Sequence, residues 1–209
     1  MNFTSNALSA TCIEYRFGTN INKSINDTVL RLYRALPFFL DLKQEGIRDL
    51  VPSYIALAVH FTSSCKLFTN PHAYDQIIEE LLSKKQVIKP KEHTLYVNYN
   101  GEDIDDVCKK LNLSKPELID LHTNTYSIAM IGFREYFPYL LGLDEKLFIP
   151  RRDAPRSKVK KGSVAIAAGQ TGIYPEDSPG GWHIIGHTNF DAFSTLKPAD
   201  IITFKEATC

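Results

Sequence analysis

Residues 163–188 read SVAIAAGQTGIYPEDSPGGWHIIGHT, and this stretch decides the class of the C-terminal half. The apolar run Ser163–Ala168 leads into Gly169-Gln170-Thr171-Gly172-Ile173-Tyr174-Pro175, then Ser178-Pro179-Gly180-Gly181-Trp182, then the β-rich His183–Ile185. Short runs of this kind, separated by Gly and Pro, predict short strands joined by tight turns. Tyr126–Phe133 and Ile201–Phe204 continue the texture. Together they imply a small β barrel or sandwich.

The residues upstream have a different rhythm. Thr11–Phe17 alternates, with Ile13, Tyr15 and Phe17 on one face of a strand. Ser24 followed by Asp27 opens a helix in capping-box style, Ile25, Val29, Leu32 and Leu36 fall at helical spacing, and Pro37 ends the pattern. Ile47–Phe61, broken near Pro52, predicts a hairpin with Ile55, Leu57, Val59 and Phe61 on one face. Asn70-Pro71 reads as a helix start, continued by Tyr74, Ile77, Ile78, Leu81 and Leu82. His93–Tyr99 alternates again. The order strand, helix, strand, strand, helix, strand is that of a ferredoxin-like α+β unit. Lys84-Lys85 to Lys91, with Pro90, is the candidate linker, which divides the chain into domains at 1–90 and 91–209. The strand at 93–99 is compatible with either side.

Two short helices follow, one with the stripe Ile104, Val107, Cys108 and Leu111, the other capped by Ser114 with Glu117 as its partner. Their spacing resembles a DNA-binding helix pair. Pro116–His122, however, carries Glu117 and Asp120 and no Arg or Lys, where a recognition helix needs donors for phosphates and base edges.

Composition narrows the function classes. The 209 residues hold 24 Lys+Arg and 24 Asp+Glu, a net charge of zero, without the basic excess of a general nucleic-acid or anionic-membrane binder. No apolar run approaches the ~18 residues of a membrane span. Met1-Asn2-Phe3-Thr4-Ser5-Asn6 lacks the charged and apolar regions of a secretory signal. Cys12, Cys65, Cys108 and Cys209 lie far apart, as expected of reduced thiols in a cytoplasmic protein.

One region concentrates charge. Arg151, Arg152, Arg156, Lys158, Lys160 and Lys161 face the single carboxylate Asp153, a local charge of +5. Guanidinium forks grip carboxylate or phosphate oxygens at two points, so Arg151, Arg152 and Arg156 are candidate anion-binding residues, whereas the lysines read as a solvated loop. The glycine turns would bring backbone close to a ligand, with Gln170, Thr171, Gly172, Tyr174, Ser178, Gly180, Gly181 and Trp182 converging on it. Neither a Walker loop nor a nucleophile elbow is present. His183 and His187 stand four apart, but in strand or turn context rather than on the helix that would make them a metal pair. No catalytic residue is assigned.

Many blocks in this half occur together in one family: Met130-Ile131-Gly132-Phe133, Phe137-Pro138-Tyr139-Leu140, Gly142-Leu143-Asp144, Pro150-Arg151-Arg152, Pro155-Arg156, Gly162 to Ala167, Gly169 to Pro175, Ser178 to Trp182 and Ile184-Ile185-Gly186. With looser agreement at Phe17-Gly18, Asn26 with Val29, and Val51 to Tyr54, the chain resembles the KipI-like B component of prokaryotic 5-oxoprolinase, a family also called allophanate hydrolase subunit 1. The resemblance implies a ferredoxin-like N-terminal unit and a cyclophilin-like β barrel. It implies a larger barrel protein, the C component, and a separate A component as partners. Together they open 5-oxoproline to glutamate with ATP and Mg²⁺, this chain being inactive alone. Two alternatives come with the resemblance: an inhibitor docking on a sporulation histidine kinase, and half of a biotin-dependent carboxyltransferase domain as in urea carboxylase.

The chain departs from the family pattern at a few places. Glu135-Tyr136 replaces Pro-Gly, Leu141 and Ala168 replace Gly, and Gly186-His187-Thr188-Asn189 replaces Gly-Arg-Thr-Pro. His187, at the family's arginine position, joins the candidate site, with a charge that depends on pH. A side chain in place of a glycine at positive φ costs about 1 kcal/mol.

Overall fold

Alternation places the first strand at Thr11, but the chain has already formed one. In the computed structural model, which describes residues 3–63, 72, 74–84, 89–132 and 135–208, Thr4–Ser9 is strand β1, paired antiparallel with β2 (Cys12–Arg16). Its polar, exposed TSNALS sequence carries no period-2 signal. Helix α1 (Lys23–Phe39) follows, then the hairpin β3 (Ile47–Pro52) and β4 (Ala56–Phe61), then α2 (Asp75–Ser83). The sheet order is β1-β2-β4-β3, antiparallel throughout. Ile13, Tyr15 and Phe17 close on Val29, Leu32, Leu36, Leu57, Val59, Phe61, Ile78 and Leu81 to make this unit's core.

Two local expectations change at α1. Its cap is Asn22, whose side-chain oxygen accepts from the Ile25 N–H at 2.9 Å; Ser24 lies inside the helix and accepts the Thr28 hydroxyl on its carbonyl. Pro37 also lies inside, in the last turn, at the cost of one i→i−4 backbone hydrogen bond. The helix start at Asn70-Pro71 and residues 85–88 of the linker lie outside the described residues.

The chain divides into compact units at Met1–Lys89 and Pro90–Cys209. The strand left open by the sequence, β5 (Glu92–Val97), pairs parallel with β13 (Ile201–Glu206) in the second unit, so the fourth strand of the first sheet is β1 instead. Between them come α3 (Ile104–Leu111), α4 (Lys115–His122), β6 (Thr125–Ile131), β7 (Pro138–Leu141), β8 (Arg156–Val159), β9 (Ser163–Ala167), β10 (Gln170–Ile173), β11 (Ser178–Gly180) and β12 (His183–His187). Seven strands form one sheet in the order β12-β9-β10-β7-β6-β13-β5, and β8 with β11 forms a separate ribbon.

Closure decides between barrel and sandwich. Past the end of β5, Asn98 exchanges both backbone hydrogen bonds with His187 at the other edge, at 2.8 and 2.9 Å. The Gly101 and Asp103 N–H groups then donate to the Ile185 and Ile184 carbonyls. The sheet is therefore a nearly closed barrel in a mixed α+β protein. Gly101 is obligatory there, because a Cβ would stand 2.3 Å from the Ile184 carbonyl oxygen. Ile128, Leu140, Val164, Ile166, Ile173, Ile185, Ile202 and Phe204 fill the interior. Ile104, Val107 and Cys108 of α3 pack onto it, and the Ser114–Glu117 capping box of α4 is fully formed. Cys12 and Cys108 are buried free thiols.

The β9–β10 turn is two residues, Ala168 at φ +49° and Gly169 at φ +78°. Tyr136 likewise sits at φ +62°, whereas Leu141 is not strained in this way. Two of the departures from the family's glycines thus fall on left-handed backbone. Ala168→Gly should stabilise the protein by about 0.5–1 kcal/mol, the relief of Cβ strain outweighing the entropy gained by the unfolded chain. The check is the urea midpoint, with Ala167→Gly, in regular strand, as a control that should lower it.

Candidate functional site

The β8–β11 ribbon and the loop ahead of it enclose a pocket of about 320 Å³. One wall is aromatic. Phe137 meets Tyr139, Tyr174 and Trp182 at ring separations of 4.8, 5.2 and 5.6 Å, the latter two edge-on. Arg151 and Arg152 also line the pocket, with Ser178 to Gly181. The Arg152 N–H donates to the Gly181 carbonyl at 2.9 Å, which ties the arginine loop to the end of the ribbon. Gly180 lets the Tyr174 hydroxyl pack against the backbone of the ribbon, since a Cβ there would stand 2.1 Å from it.

Of the residues singled out from the sequence, Arg151, Arg152, Tyr174, Ser178, Gly180, Gly181 and Trp182 therefore come together. Gln170, Thr171, Gly172, Arg156 and His187 do not line this pocket. Gln170, Thr171 and Gly172 form a strand rather than a turn. Thr171 is buried in the barrel, accepting from His122 Nε2 and donating to the Ala165 carbonyl. Gly172 makes room for the Phe137 ring, 2.8 Å from where its Cβ would be. His187 sits at the far end of β12, its Nδ1 3.3 Å from the Asn100 side-chain oxygen. Lys158 pairs with Asp177 on the surface, at 2.8 Å.

Arg156 stands behind the rim, where a carboxylate that sequence reasoning missed holds it. Asp103 is buried; its Oδ1 accepts from Arg156 Nη2 at 2.6 Å and Arg152 Nη1 at 2.7 Å, and its Oδ2 from the Ile184 N–H at 2.7 Å. Burial alone would raise its pKa. The hydrogen bonds from Arg156 and Ile184 and the two guanidinium charges outweigh that and hold the carboxyl below the ordinary range. Asp103 is the N-cap residue of α3, yet its side chain makes no capping bond. Two of the three guanidinium groups thus share one internal carboxylate, and Arg151 has no carboxylate partner among the described residues.

Comparison with known proteins places these residues in a lineage. Residues 3–202 match the family "Carboxyltransferase domain, subdomain C and D". The chain belongs to that family. Curated members named as the B subunit of 5-oxoprolinase include one from Bacillus subtilis, 30% identical over 90% of this chain and 86% of that protein. Another, from Haemophilus influenzae, is 47% identical over 53% of this chain and 55% of that one. Among solved structures, TTHA0988 is 29% identical with a TM-score of 0.75; the match covers 95% of this chain but only 40% of that longer one. Kluyveromyces lactis urea amidolyase shares the fold, with a TM-score of 0.69 at 16% identity, over 99% of this chain and 15% of that one.

Within the carboxyltransferase family's frame, the pocket can hold a small planar ring against the aromatic wall with an anionic group turned to Arg151 and Arg152. Tyr174 is buried, which raises its pKa; the Trp182 backbone N–H donating to its oxygen pulls the other way. His183, at the start of β12, donates from Nε2 to the Pro150 carbonyl at 3.0 Å, and burial lowers its pKa. Among the described residues no cluster of His, Cys, Asp or Glu could hold a metal, and no helix is long and apolar enough to cross a membrane.

Proposed function

We propose that this chain is the B component of an ATP-dependent 5-oxoprolinase and that its pocket receives the carboxylate of 5-oxoproline or of its phosphorylated form. The observation that carries this reading is Arg151, with no carboxylate partner among the described residues, in one pocket of small-molecule size with Arg152 and four aromatic rings. A five-membered lactam offers both a flat apolar face and a carboxylate for such a site. The names of its relatives support the reaction class.

Opening a lactam is uphill unless its amide oxygen is activated, and phosphorylation does this at the expense of ATP. Fixed positive charge beside the transferring phosphoryl group favours that step. The pocket, with guanidinium groups but no acidic ligands for Mg²⁺, suits the substrate end of such a reaction. The nucleotide and its Mg²⁺ fall to the assembled complex with the C and A components. That the matching segment is a minor part of the TTHA0988 chain agrees with a protein that works joined to another polypeptide. The reading takes the complex to be cytoplasmic, the barrel to be cyclophilin-like and the N-terminal unit to be a ferredoxin-like variant with β1 in the outer position. The carboxyltransferase alternative has the shared fold behind it and demands a biotin-bearing partner.

The test is reconstitution with the C and A components of 5-oxoprolinase and measurement of ADP release in the absence of biotin. The expected result is 5-oxoproline-dependent release, with Arg151→Ala lowering kcat/KM by about 10- to 100-fold, the range for losing a charged hydrogen bond. Absence of that release, or unchanged kinetics in the variant, overturns the assignment.

A further inference from the structure

We propose that the Tyr174 hydroxyl is the hydrogen-bond donor to the ring oxygen of the bound molecule, and so sets the preference of this pocket for a lactam over a plain ring carboxylate. The inference rests on the carboxylate reading above and adds a second point of recognition to it.

Four observations converge on this hydroxyl. Tyr174 lines the pocket although its residue is 4% exposed, so its polar end sits where a ligand would be largely desolvated. The Trp182 backbone N–H lies close enough to its oxygen to work against the upward shift that burial imposes on the phenol. Its O–H makes no hydrogen bond to an acceptor among the described residues. The absence of a side chain at Gly180 lets the hydroxyl pack against the ribbon's backbone, and Phe137 braces the ring edge-on at 5.2 Å. A braced donor lining an apolar pocket, with no acceptor among the described residues, is available to an acceptor on the ligand.

Chemistry divides the work between the polar groups. Guanidinium groups favour the charged carboxylate. An uncharged O–H among aromatic rings favours a neutral acceptor such as an amide oxygen, and burial keeps the phenol protonated at neutral pH. A site built around a ligand oxygen discriminates against the analogue lacking it, because its own donor is then left unpaired.

The experiment titrates three ligands into the chain reconstituted with the C and A components: 5-oxoproline, 3-oxocyclopentanecarboxylate and cyclopentanecarboxylate. The last two differ only in the ring oxygen. The expected result is that wild type prefers the oxo compound by about 10-fold. Tyr174→Phe should bind both equally, with its affinity for cyclopentanecarboxylate unchanged. A preference that survives Tyr174→Phe overturns the inference and leaves the carboxylate reading standing. Failure of wild type to bind any of the three removes both. Ser178→Ala and Tyr139→Phe test it from the other side, including the case in which Tyr174→Phe does not fold. The proposal requires both variants to keep the preference, and its loss in either overturns it.

Discussion

Asp103→Ala is expected to cost the C-terminal unit about 3 kcal/mol of stability or slightly more. Removing one member of a buried ionic cluster typically costs about 3–5 kcal/mol, because the charges left behind lose their partner without regaining water. Here three donors are orphaned at once: Arg152 Nη1, Arg156 Nη2 and the Ile184 N–H. The arginine side chains are 29% and 24% exposed, so each rehydrates in part, which places the effect at the lower end of that range. The Ile184 N–H has no such recourse, since Ile184 is buried on the barrel's closing edge. Asp103→Asn keeps an oxygen for that N–H but no charge for the guanidinium groups, and should fall between wild type and the alanine variant. Urea unfolding of the three proteins measures this. A double-mutant cycle with Arg156→Ala should recover part of the loss, as coupled neighbours do. A cost below about 1 kcal/mol for Asp103→Ala would show that the cluster contributes no more than a surface ion pair. The same carboxylate adds stability that is whole above its unfolded pKa and drains away as acid protonates it.

Asp103 also marks where sequence reading stops. Its partners lie 49, 53 and 81 residues away, and nothing local distinguishes it from an ordinary cap at the head of an amphipathic helix. Barrel closure through Asn98 and His187 is equally non-local, which is why short Gly- and Pro-punctuated runs speak for a barrel and a sandwich alike. What is legible has local causes. The alternation of Ile13 and Tyr15, the stripe of α3 and the Ser114 capping box all appear as read. Much of the pocket is legible too, because Arg151, Arg152 and residues 178–182 are near in sequence and drawn together by turns. Gln170 and Thr171 read as a ligand turn because glycines flank them. The tight Ala168-Gly169 turn ends one residue earlier, however, and sends Thr171 into the interior of a central strand. The aromatic wall comes from Phe137 and Tyr139, one sheet strand away, and no spacing rule links them to Trp182.

The second large effect lies in that interior, at His122, and is expressed through pH. The imidazole is fully buried and stacks on Phe204 at 4.9 Å. The Thr171 hydroxyl donates to the Ala165 carbonyl, so it must accept from His122 Nε2–H; Nδ1 is then the acceptor of the Tyr99 O–H at 2.7 Å. Both ring nitrogens are satisfied in the neutral form. Burial pushes the pKa down to about 3, against about 6.5 for an exposed histidine. Between those values the unfolded chain binds a proton that the folded chain refuses. Stability is therefore whole above pH 6.5 and falls on acidification by about 1.4 kcal/mol per pH unit, about 5 kcal/mol in all if the unit survives to pH 3. His183, whose pKa burial also lowers, adds to the loss with the same sign. The carboxylates contribute only as pH approaches their own range, so the interval from about 6.5 to about 4.5 isolates the histidines. Over it, wild type should lose about 3 kcal/mol in urea unfolding. His122→Gln should start from a lower plateau, having lost the ring, but show a distinctly shallower slope. Parallel slopes in the two proteins would mean that the acid sensitivity arises elsewhere and that His122 takes up its proton in the folded state.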